Sequence, residues 1–85
     1  MMAPDYVPIS CERYSELELC IMHGRSLRIR WQWHGMDRVV RVRPLDLRTR
    51  HGAEYLILSD ADGRRQWRRL DRLRDFEPLD SGASD

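Results

Sequence analysis

The sequence contains no lysine: all 15 of its basic residues are arginine. A GC-rich genome gives that bias by itself. This plain cause outweighs a selected preference for the forked contacts that arginine makes to carboxylate or phosphate. Cysteine is scarce, with only Cys11 and Cys20. Two thiols cannot build a disulfide scaffold, so both are expected to be buried and reduced. No apolar window approaches the length of a membrane span. The N-terminus shows no charged region followed by an apolar run, so no secretory signal is expected and the protein is expected in the cytoplasm. The five glycines are isolated at turn-like places, and no phosphate-binding loop pattern occurs. No serine sits in a nucleophile elbow, and no thiol has an evident base with an orienting partner. His23, His34 and His51 are scattered. Cys20 and His23 form the one close pair, and two ligands do not make a structural zinc site. Catalysis, a cofactor and a metal are therefore not expected.

What remains is a chain of 85 residues, 41% hydrophobic and 34% charged, which suits one small soluble domain. The domain is expected over residues 1–77, with a polar, acidic, disordered tail over 78–85. The net charge of +1 conceals a segregation. Met1 to His23 carries four acids against Arg13. Gly24 to Arg50 carries eight arginines against Asp37 and Asp46, and His51 to Asp85 six arginines against eight acids. An acidic head on a basic middle implies two faces with different electrostatic preferences.

Pro4 and Pro8 predict an extended lead-in over Met1 to Ile9. Ser10 is a good N-cap, Glu12 suits a first helical turn and Gly24 a stop, so Cys11 to Met22 reads as a short helix. At helical spacing Tyr14, Leu17 and Ile21 share one side, while Glu12, Glu16 and Leu19 fall opposite, giving an acidic outer face with one apolar residue in it. The period then changes to two. Leu27, Ile29, Trp31 and Trp33 alternate with polar residues in a half-buried strand. His34-Gly35-Met36-Asp37 reads as a turn, and Val40 and Val42 as a second strand. Pro44 predicts that this strand ends or runs along an edge there. Asp46 to Ala53 reads as a polar loop, Tyr55 to Ser59 as a strand, and Asp60 to Gly63 as a hairpin turn. A weaker strand, Arg64 to Leu70, leads through a short turn to a closing strand, Arg74 to Glu77. One helix followed by five close-set strands predicts a mostly β fold, a small Sm-like (SH3-like) antiparallel barrel with an N-terminal helix.

Nucleic-acid binding has some support. Arg28, Arg30, Arg41 and Arg43 would line the outer face of two adjacent strands, and Trp31, Trp33 and Trp67 are possible stacking surfaces. Trp31 and Trp33 share a face with Leu27 and Ile29, which favours a core role for them instead.

Tyr6, Pro8, Ile9 and Cys11 stand before a helix carrying Tyr14, Leu17, Glu18 and Leu19 in a Tyr-x-x-Leu-Glu-Leu pattern. Glu54-Tyr55-Leu56 and Arg69-Leu70-Asp71-x-Leu73-x-x-Phe76 follow in order. This set resembles the Rho-binding antiterminator (Rof) family, and the likeness runs from Asp5 to Phe76. The resemblance implies an Sm-like fold, direct binding to the transcription termination factor Rho near its RNA site, and hindered RNA loading. It implies contact through the helix and through the loop before the third strand. On this chain those are Glu12, Tyr14, Glu16, Glu18 and Leu19, with Arg50 and His51 from the loop. An acidic helix can stand in for phosphates in a basic RNA site. The expected protein is a cytoplasmic monomer whose partner is Rho. The alternative is an Sm-like RNA-binding protein that uses Arg28, Arg30, Arg41 and Arg43.

Overall fold

The computed structural model describes residues 7–79. Residues 1–6, most of the extended lead-in expected over Met1 to Ile9, lie outside that range.

The Ser10 hydroxyl oxygen accepts the Arg13 N–H at 3.2 Å, which starts helix α1, Cys11–Met22. At its far end Gly24, with φ of 64°, takes the left-handed conformation that stops the helix. The Gly24 N–H donates to Ile21 O and the Arg25 N–H to Cys20 O, so two otherwise orphaned carbonyls are satisfied. Leu17 and Cys20 are buried, Tyr14 and Ile21 half-buried, and Glu12, Glu16, Glu18 and Leu19 exposed, as the helical spacing predicts.

Arg13 ties the helix to the sheet. Its guanidinium meets Glu16 at 3.2 Å and Asp75 at 3.0 Å, donates to Phe76 O, and lies 3.8 Å over the Phe76 ring. Removing it is expected to cost about 1 kcal/mol, because the ion pairs are largely exposed while the ring contact is shielded. Urea unfolding of Arg13→Ala measures this, and an unchanged midpoint would mean the clasp contributes nothing.

Strands β1 (Leu27–Trp33) and β2 (Met36–Arg50) form a hairpin whose two turn residues, His34 and Gly35, both have positive φ. That turn geometry matches the twist of the flanking strands. The turn is narrower than the sequence predicts, and Met36 pairs with Trp33. The expected end at Pro44 and the loop from Asp46 are corrected: β2 runs unbroken for 15 residues. Its first half pairs with β1 and its second with β3, Ala53–Ser59. The register slips between Pro44 and Asp46, where one strand passes from one neighbour to the other. A proline, which has no N–H to give to a ladder, is tolerated at such an irregularity. A second two-residue turn, His51-Gly52, also with positive φ at both positions, leads into β3.

β3 is the most buried strand, with Ala53, Leu56, Ile57 and Leu58 inside. Asp60 shapes the next turn by accepting the Asp62 and Arg64 N–H groups, each at 2.9 Å. β4 (Arg65–Arg69) and a short 3-10 turn (Leu70–Arg72) lead to β5, Leu73–Pro78. Pro78 belongs to this strand, and the Leu79 N–H donates to Ser26 O at 2.9 Å. The rest of the expected tail, residues 80–85, lies outside the described residues.

All pairings are antiparallel, in the order β4-β3-β2-β1-β5. β4 and β5 are the two edges, so the sheet is not closed. Leu17, Leu27, Ile29, Leu56, Leu58 and Leu70 are fully buried, where helix, sheet and 3-10 turn meet. Among the described residues no helix is long and apolar enough to cross a membrane.

The two thiols have different settings. Cys11 is exposed, against expectation, because it is the first residue of α1; Cys20 is buried. Burial is the main cause that raises the Cys20 pKa. Cys11 is therefore expected to react with a thiol reagent at once and Cys20 only on unfolding. Equal rates in native protein would contradict this packing.

Candidate functional site

The outer face of α1 carries Glu12 and Glu18, which make no ion pair among the described residues, and Glu16, which Arg13 holds. The apolar part of this face is larger than the sequence suggests. Leu19 is 52% exposed and Met22, at the helix end, 73%. Tyr14 is half-buried and lines a shallow depression with Ile9, Cys11 and Glu54. Burial first, then the charges of Glu54, Glu18 and Asp46, raise its hydroxyl pKa. Glu54 is the second residue of β3, so the start of that strand lies beside the first turns of the helix. The helix and the β2–β3 turn, where Arg50 and His51 stand, are thus neighbours. Arg50 is engaged by an aromatic ring, its guanidinium 4.9 Å over Trp67. His51 is exposed at the turn.

The four strand arginines are exposed, but Arg28 pairs with Glu77 at 2.7 Å. Arg28 and Arg41 are cross-strand partners, and Arg30 faces Val39 on one side and Asp75 on the other. The acids of β5 therefore temper the positive charge of this face.

Around Trp31 lies a second cluster, of which the sequence reading named the three tryptophans as stacking surfaces but not the Gln66, Arg68 and Arg72 side chains that stand with them. Trp31 is buried and Trp33 is not: it is 48% exposed at the end of the hairpin. Sharing a face with Leu27 and Ile29 does not bury Trp33, because β1 runs past the core at that point. His34 packs edge-on against it at 4.6 Å. Trp67 is 37% exposed and meets Tyr55 edge-on at 5.6 Å. The Arg68 guanidinium lies 4.7 Å over Trp31 and bonds to Trp67 O and to the Gln66 side chain. Gln66 in turn donates to Asp60, whose carboxyl is held low by the Arg64 N–H first and then by the Asp62 N–H and Gln66. Trp31 Nε1 and Arg68 Nε are buried with no hydrogen-bond partner among the described residues. Burial and the nearby Arg38 charge both lower the Arg68 pKa. Trp67 between Arg65 and the Arg68 and Arg69 pair, on a weakly patterned strand, is the sequence signal for the arginines of this cluster.

No group of three or more metal-ligating side chains occurs among the described residues. No protein-family model matches the chain, and no curated protein matches it. Among solved structures it is similar to proteasome accessory factor B/C (PafBC) of Arthrobacter aurescens, at 22% identity and a TM-score of 0.73. The likeness covers 87% of this chain and 12% of that one. It shows the fold: a small, mostly β domain with one helix and a five-stranded antiparallel sheet.

Proposed function

We propose that this protein is a Rho-binding inhibitor of transcription termination, built on an Sm-like fold, that acts by occupying a protein surface and not by catalysis. The observation that carries the reading is the outer face of α1. It joins two acids unpaired among the described residues, Glu12 and Glu18, to exposed Leu19 and Met22. A solvated helix face has no need of the apolar pair, whereas a protein contact uses both parts: apolar area for affinity and charge for orientation. A Rho site that grips RNA must be basic, so an acidic helix complements it and excludes phosphate. Tyr14 at the edge of this face and His51 on the adjoining turn extend the contact. Glu16 and Arg50 play a smaller part, since Arg13 and Trp67 already engage them. The reading rests on the sequence resemblance together with this face, and it places the protein in the cytoplasm as a monomer.

Its test is displacement. Rho carrying a fluorescent RNA is titrated with the full chain at physiological salt. Release of the RNA as the chain binds is the expected result. A chain that binds Rho without disturbing its RNA would overturn the loading mechanism.

A further inference from the structure

Two clefts meet at Trp31. One, of about 510 Å³, lies between the β1–β2 hairpin and the β3–β4 turn, and carries Arg38, Arg41 and Arg68 together with Asp60 and Asp62. The other, of about 260 Å³, is walled chiefly by Trp31, Trp33, Tyr55, Trp67, Arg68 and Arg72. No carboxylate lines the second cleft among the described residues.

Its composition is unusual in three ways. Two large indole rings, Trp33 and Trp67, are left partly bare, although burial is the usual fate of such area. Cations already lie against ring faces here, Arg68 over Trp31 and Arg50 over Trp67. Arg69 has Asp71 as its partner at 2.6 Å, but Arg68 and Arg72 have no carboxylate partner within ion-pair distance among the described residues. Arg68, whose guanidinium lies over Trp31, has a buried Nε, and Trp31 a buried Nε1, neither with a hydrogen-bond partner among the described residues.

We propose that this cleft binds single-stranded nucleic acid, one base stacking on Trp33 or Trp67 and the adjoining phosphates meeting Arg68 and Arg72. Bare aromatic faces beside arginines that have no carboxylate partner among the described residues match a base beside a phosphate, the repeating unit of such a strand. A duplex hides its base faces within the stack and presents only phosphate. An acidic peptide neutralises the arginines but brings no flat partner to the indoles. The site differs from the face of Arg28, Arg30, Arg41 and Arg43, where Glu77 and Asp75 compete for the cations. No residue of α1 lines it, so it stands independently of the helix reading.

The test titrates a fluorescein-labelled unstructured RNA, and its DNA counterpart, with the full chain at about 0.1 M salt. Anisotropy and tryptophan quenching are read together. Quenching that tracks binding is expected, with affinity falling steeply as salt rises. Trp33→Ala and Arg72→Glu, both at exposed positions, are expected to weaken binding by about tenfold each, while Trp33→Tyr keeps most of it. Arg28→Glu is expected to change little. Binding of RNA and DNA alike supports the site. Binding of RNA alone supports it too and adds recognition of the 2′-hydroxyl. The proposal is overturned by no binding of either strand, by poly-glutamate displacing RNA as well as RNA displaces itself, or by a loss confined to Arg28→Glu.

Discussion

Replacing Trp31 by alanine is expected to cost about 3–5 kcal/mol, most of the stability of so small a domain. Trp31 is 8% exposed, faces Arg38 on one side and Leu73 on the other, and carries the Arg68 guanidinium on its ring. An alanine leaves a void bounded by two strands and a charged side chain that has lost its platform. The melting temperature is expected to fall by about 15 °C or more. Trp31→Phe is expected to be far milder. It keeps most of the ring and removes a buried N–H that has no partner among the described residues, and an unsatisfied donor of this kind costs about 1–3 kcal/mol. Trp33→Ala, half-exposed at the hairpin end, is expected to change stability by only about 0.5 kcal/mol. Thermal melts of the three variants check the series. A Trp31→Ala protein that melts within a few degrees of the parent would contradict the placing of this ring in the core.

Reversing Glu12 and Glu18 together to arginine is expected to weaken Rho binding by about a hundredfold or more. Each reversal replaces attraction by like-charge repulsion at a basic surface, and every tenfold corresponds to about 1.4 kcal/mol. The fold is expected to survive, since both side chains are exposed and neither is ion-paired among the described residues. Losing Glu12 from the first helical turn costs only about 0.3–1 kcal/mol. Glu16 is the wrong choice for this test, although its spacing makes it look equivalent. Reversing it would break the Arg13 clasp to β5 and mix a folding effect into the binding result. Affinity for Rho within about twofold of the parent would sink the acidic-helix mechanism, and affinity restored at high salt would support it.

The helix and β1 were legible because each states its period without interruption. Ser10, Glu12 and Gly24 bound the helix in the sequence as they do in the structure. β2 was not legible beyond Val42. Its second half carries Asp46, Arg48, Thr49 and Arg50, which read as loop because the strand there is polar on its exposed side. Asp46 accepts the Leu47 N–H and the Arg48 guanidinium, each at 2.8 Å, so local bonds satisfy charges that resemble a turn. Pro44 reinforced the misreading, because one proline marks a strand end and a slip in register equally well. For the candidate site, the sequence identifies the acids of α1 but not which of them are free. Arg13 decides that, and its partner Asp75 lies 62 residues further along the chain. The aromatic cleft was hidden for a similar reason. Trp33 on β1 and Trp67 on β4 line one cleft although their strands are not paired in the sheet, and strand alternation says nothing about where a strand leaves the core.

The measurement that bears most directly on the central claim is binding of the purified full chain to Rho at physiological salt, followed by light scattering or calorimetry. A saturable complex that tightens as salt is lowered is the expected result. No complex at concentrations of about 100 μM, where even weak specific contacts register, would contradict the account.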